Sequence, residues 1–120
     1  MSGINKVILV GHIGKEPDLR ILPDEVSVLS FPLVTSEMIN RDGVKTEQTE
    51  WHNIVMWRAL AESAARLLKK GMLVYLEGKL RTRSFEKDSL KKYTTEIIID
   101  HYTMLGRRSD FAEEIAATKE

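Results

Sequence analysis

Most apolar residues in this chain fall in short β-branched blocks or alternate with polar ones, and only one stretch keeps helical spacing. Lys6–Val10 is a β-branched run ending at Gly11 and Gly14, which reads as a strand buried on both faces or lying at an interface. Lys15-Glu16-Pro17-Asp18 reads as a turn, Leu19–Leu22 as a short strand and Pro23-Asp24 as a second turn. Val26–Ser36 is a long extended stretch. Pro32 within it has no N–H to give a ladder, so it marks an edge or a bulge. Asp42-Gly43 is the strongest hairpin signal, with Gln48–Trp57 as the returning strand. Arg58–Lys70 places Leu60, Ala64, Leu67 and Leu68 on one helical face, and Lys69-Lys70-Gly71 reads as its C-terminus. Leu73–Phe85 is a long strand, Glu86–Lys92 a charged loop and Tyr93–Tyr102 a further strand. Thr103–Arg108 is a polar exit, and Asp110–Thr118 a short amphipathic helix.

With the short Leu19–Leu22 piece set aside, the order is three strands, a helix and two strands. An all-β chain with one helix between its third and fourth strands has the layout of the OB-fold, a five-stranded Greek-key barrel that binds oligonucleotides and oligosaccharides. The expected organisation is one such domain over residues 1–108 and a short acidic extension over 109–120.

Two tryptophans and a phenylalanine carry the candidate chemistry. Trp51 and Trp57 are six apart on one strand, so both indoles project to the same side. In the next strand Val74, Leu76 and Leu80 read as the core face, while Lys79, Arg81, Arg83 and Phe85 share the other. Strand tryptophans are most often packing residues. Three cations in an apolar core would be very costly, however, so the face holding Phe85 meets solvent, a partner or a polyanion. Flat rings interleaved with fixed cations suit stacked bases on a phosphate backbone.

Charge distribution sharpens this. The 18 basic and 18 acidic residues cancel. Yet Arg58–Lys92 holds ten Lys/Arg against four acids, and Ser109–Glu120 four acids against Lys119. Polyanion binding follows the local patch more than the total. The chain has no cysteine, which removes disulfides and thiolate metal sites and suits a reducing cytoplasm. No apolar run approaches a membrane span, and no signal-peptide pattern opens the chain. His12, His52 and His101 lack metal-ligand spacing, and Gly11-His12-Ile13-Gly14 is no phosphate loop, so neither a catalytic centre nor a cofactor is expected.

Four segments carry a family likeness: Asn5–Gly11, Thr49-Glu50-Trp51-His52, Tyr75–Arg83 and Tyr93-Thr94-Thr95-Glu96. Together they resemble the bacterial single-stranded DNA-binding proteins, nearly without a gap from Gly3 to Arg108. The resemblance implies an OB-fold protomer in a homotetramer, binding single-stranded DNA during replication, recombination and repair, in the cytoplasm with the nucleoid. It implies base stacking on Trp51, Trp57 and Phe85, phosphate contacts from Lys79, Arg81, Arg83, Arg20 and Lys70, and a subunit contact at His52. A further stacking tryptophan of the family falls on Ile39, which has no π face. Family members usually end in a long tail closing on an acidic peptide with Pro-Phe, which recruits replication and repair enzymes. Asp110-Phe111-Ala112-Glu113-Glu114 is acidic but internal, so a shortened form and a different mode of recruitment both stay open. The rival readings are an RNA-binding OB domain and a protein-assembly module that uses the same rings as interface anchors. DNA over RNA rests on the resemblance alone.

Overall fold

In a computed structural model of the chain, residues 2–106 are described. Of the polar exit expected over Thr103–Arg108, 103–106 are strand; 107–108, the acidic extension and the helix expected in it lie outside the described residues. The strands are β1 (Val7–Ile13), β2 (Asp18–Ile21), β3 (Ser27–Arg41), β4 (Val44–Trp57), β5 (Leu73–Lys87) and β6 (Leu90–Gly106), with α1 (Arg58–Leu67) between β4 and β5. Pairing runs β1-β5-β6-β4-β3, and a β1–β3 contact closes the circuit. Five strands thus form the expected OB barrel, and β2 is a short outrigger on β3. The β4–β6 pair is the one parallel contact among the described strands, at Ile54↔Ile97 and Val55↔Ile98.

The core follows the alternation. Ile13, Leu29, Leu33, Ile54, Met56, Val74 and Leu76 point inward and are fully buried. The helix closes one end of the barrel with Ala61 and Ala64, and Leu68 follows them inward. Small side chains let α1 lie close to β3 and β4. Leu67, expected on the packed face, is half-exposed, and Ala61 takes the inner position. The helix also ends at Leu67 rather than Lys70, because Leu68 turns extended (φ −87°, ψ 136°) to bury its side chain. Gly71 belongs to the turn that follows, closed by the Met72 N–H on the Lys69 carbonyl (3.2 Å).

Other differences have equally local causes. β1 is not buried on both faces, since Ile8 and Val10 are exposed. Pro32 sits between Ser30, the partner of Asp18 in β2, and Leu33, the partner of Ile13 in β1. Its missing N–H falls in the gap between these two ladders, its carbonyl accepts from the Gly14 N–H (2.8 Å), and its register with β4 runs through without a bulge. The Asp42-Gly43 turn forms as expected, with both φ values positive (51° and 82°). β4 then starts at Val44, because a ladder exposed on both faces needs no apolar alternation. For the same reason Glu86–Lys92 is not a loop: the β5–β6 ladder continues through it to Lys87↔Leu90 around Asp88-Ser89.

Leu80 lies on the inward side, as its position predicts, yet it is 50% exposed. A bulge between Glu77 and Gly78 re-aims the strand there, and the β5–β6 arm runs on past the barrel wall.

Candidate nucleic-acid interface

Residues directly paired across a sheet point to the same side. One row across the barrel is Asp18–Ser30–Val55–Ile98–Lys79, and a neighbouring row is Arg20–Val28–Trp57. Trp51, opposite Val34, lies on the same outward side as Val55 and Trp57. Arg81, Arg83 and Phe85 continue outward from Lys79 along β5. Three rings and four cations from β2, β4 and β5 therefore occupy one outer face. Six residue steps of strand separate Trp51 from Trp57, or about 20 Å at the usual rise.

The rings are accessible. Trp51 is 59%, Trp57 37% and Phe85 45% exposed. Trp51 leans on Gly14 in the β1–β2 loop: a Cβ built there would meet its Cζ3 at 2.6 Å. Trp57 is the last residue of β4 and the N-cap of α1, which has no side-chain cap. Its neighbour Arg58 takes φ 59°, a left-handed conformation that costs a non-glycine residue energy. Phe85 stands on the arm beyond the barrel.

On the same outer face the β1–β2 loop, β3, β4 and β6 border a groove of about 440 Å³. Asn53 and Val55 are on its floor, Glu16 and Asp18 on one bank, Thr94 and Glu96 on the other. None of these was singled out from the sequence. Asn53 and Val55 were legible, because they alternate between the two tryptophans. The carboxylates carried no such signal.

The predicted cations differ in their surroundings. Lys79 and Arg81 are exposed and have no ion pair among the described residues. Arg83 donates from Nε to Glu96 Oε1 (2.8 Å) and from Nη2 to Oε2 (2.9 Å). Arg20 Nε donates to Asp18 Oδ2 (2.9 Å). Lys70 is not on a strand, but it adjoins the groove through Glu16. It lies after α1, where its backbone N–H donates to Glu16 Oε2 (3.2 Å).

His52 points to the inward side opposite Leu33, and its Nε2 lies 2.8 Å from Thr35 Oγ1. It stands apart from the rings. Ile39 also lies on that side of the β3–β4 arm, whereas exposed Met38 shares the Trp51 side. Tyr93, which the sequence reading passed over, is an exposed fourth ring. It pairs with Ser84 on the side of the β5–β6 arm opposite Phe85, with Lys91 Nζ 5.7 Å from its centroid.

A second outer region centres on β1, β5 and β6. There Lys6 and Glu77 form an ion pair beside Tyr75, whose ring meets His101 edge-on at 6.4 Å. The bond to Lys6 holds the Glu77 carboxyl below its ordinary value, and the same bond raises Lys6. Desolvation, with Glu77 adding to it, raises Tyr75.

A closed OB barrel with rings and cations on one outer face defines a class of protein built to hold an extended oligomer. Within that class, residues 4–105 match the single-strand binding protein family, and the chain belongs to it. Single-stranded DNA-binding proteins of Neisseria meningitidis serogroups A and B are 45% identical to it over 109 residues, 89% of this chain. The chain spans 63% of the length of these curated relatives. Among solved structures, a Plasmodium falciparum SSB in complex with ssDNA superposes with a TM-score of 0.80 at 32% identity, covering 88% of this chain and 97% of that one. A deletion mutant of the Thermus aquaticus single-stranded DNA binding protein gives 0.79 at 30% identity, covering 89% and 53%.

Proposed function

We propose that this chain binds single-stranded DNA with little sequence preference and shields it during replication, recombination and repair. The observation that carries the reading is the single outer face holding Trp51, Trp57 and Phe85 beside Lys79 and Arg81. Family membership and the ssDNA complex of the Plasmodium relative support it. Every base has a π face, so stacking tolerates any sequence, at roughly 1–3 kcal/mol per base. Duplex DNA hides those faces and binds poorly. Lys79 and Arg81 supply the salt-dependent part, a slope of about −0.7 per neutralised phosphate on a log–log plot.

The working unit is a homotetramer. Two uncovered surfaces support this: the edge of β1 that meets β3 only at His12 and Ile13, and the outer face with Ile8, Val10 and Tyr75. Light scattering with Ile8→Lys and Val10→Lys tests it. Smaller particles are expected, and an unchanged mass would remove this face from assembly.

The binding reading is tested by tryptophan emission, titrated with poly-dT, poly-U and duplex DNA at two salt concentrations. Strong quenching by poly-dT, weaker at high salt and absent with duplex, is expected. Equal quenching by poly-U would shift the reading to nucleic acid of either sugar. No quenching at all would make the rings packing or protein-contact residues.

A further inference from the structure

Three ion pairs border the groove: Arg20 with Asp18, Lys69 with Glu16, and Arg83 with Glu96. All three carboxylates line it. Arg83 and Glu96 meet fork to fork, which occupies the Nε/Nη2 edge of the guanidinium. That edge is one a phosphate takes in bidentate contact. The Glu96 side chain is only 13% exposed, so it is fixed in place, while Arg83 reaches out to solvent.

We propose that Glu96, and more weakly the exposed, singly bonded Asp18, is a built-in competitor of DNA phosphate that sets how tightly and with what salt dependence the groove binds. The inference rests on the groove being the path of the strand. For a phosphate to take the Nε/Nη2 edge of Arg83, the guanidinium must leave a carboxylate that already satisfies it. A cation that keeps its carboxylate neutralises no phosphate and releases no counterion from the DNA. The sequence counts Arg20 and Arg83 with Lys79 and Arg81. The ion pairs divide them into two engaged arginines and two cations with no carboxylate partner among the described residues.

The test measures labelled oligo-dT affinity across a salt series for the whole chain and its variants. Glu96→Gln is expected to bind more tightly at low salt and to steepen the log–log slope by about 0.7, the value for one added phosphate contact. Adding Arg83→Ala to Glu96→Gln returns the slope to that of the parent. Asp18→Asn behaves likewise but more weakly through Arg20, which keeps the test sound if Glu96→Gln folds poorly. Glu86→Gln, an arm carboxylate with no ion pair among the described residues, leaves the slope unchanged. Weaker binding by Glu96→Gln with no steepening would make Glu96 a support for Arg83 and overturn the proposal. Equal steepening by Glu86→Gln would overturn it too, by reducing the effect to bulk charge. The path itself is checked by Arg81→Ala. If that variant flattens the slope while Glu96→Gln does not steepen it, the competitor fails and the path stands. If neither changes the slope, both fail.

Discussion

Gly14→Ala is the sharpest probe of the ring geometry, because it perturbs Trp51 without touching its chemistry. Gly14 has no positive φ, so alanine carries no backbone penalty there. The new Cβ would sit 2.6 Å from Trp51 Cζ3 and 3.0 Å from Val34 Cγ2, where ordinary contact begins at 3.4 Å. The indole must retreat by 3.4 − 2.6 = 0.8 Å. It is more than half exposed and can do so outward, so the barrel survives. A gap of that size forfeits a quarter to a half of a van der Waals contact. Applied to a stack worth roughly 1–3 kcal/mol, the loss is about 0.25–1.5 kcal/mol, or about 1.5- to 12-fold in affinity. Trp51→Ala, which removes the whole stack, should cost more, about 5- to 160-fold. Anisotropy of labelled oligo-dT gives the affinities, and emission of Trp51 in a Trp57→Phe background reports the ring. The decisive step is a double-mutant cycle: in Trp51→Ala, the Gly14 substitution should cost nothing further. An equal cost in both backgrounds would refute the reasoning, since Gly14 would then act through something other than the indole.

Three more outcomes are expected. Ile39→Trp should tighten oligo-dT binding by roughly 1–3 kcal/mol if the arm accepts a base, and unchanged affinity would remove that side of the arm from the path. Arg58→Gly relieves a left-handed residue, a strain of about 1–2 kcal/mol partly offset by the entropy of glycine, so a melt should show a small net gain. A lower melting temperature would mean the arginine side chain holds the strand-to-helix junction. The Lys6–Glu77 pair gives a stability contribution present above the ordinary Glu77 value of 4.5 and lost as pH falls through its depressed folded value. On the alkaline side it is present below the ordinary Lys6 value of 10.5 and lost as pH rises through the raised one. Glu77→Gln should therefore flatten the acid limb of a stability–pH curve, and an unchanged limb would assign that limb to other carboxylates.

The chain itself determined the barrel and the side on which its rings stand. Period-two alternation placed Trp51 with Trp57, and Lys79 with Arg81, Arg83 and Phe85, because side-chain direction along a strand is a local property. The Asp42-Gly43 turn and the helix between the third and fourth barrel strands were legible for the same reason. Only the tertiary structure joined the two sets into one face, through the Val55–Ile98–Lys79 row, since pairing between distant strands has no local signature. It alone ended the helix at Leu67, by burying Leu68, and exposed Leu80, by carrying the arm past the barrel wall. It also extended ladders through charged residues on both arms, where backbone hydrogen bonds need no apolar pattern. The engagement of Arg20 and Arg83 was out of reach for the same physical reason. An ion pair depends on distance in space, and Glu96 meets Arg83 only because β5 and β6 pair in that register.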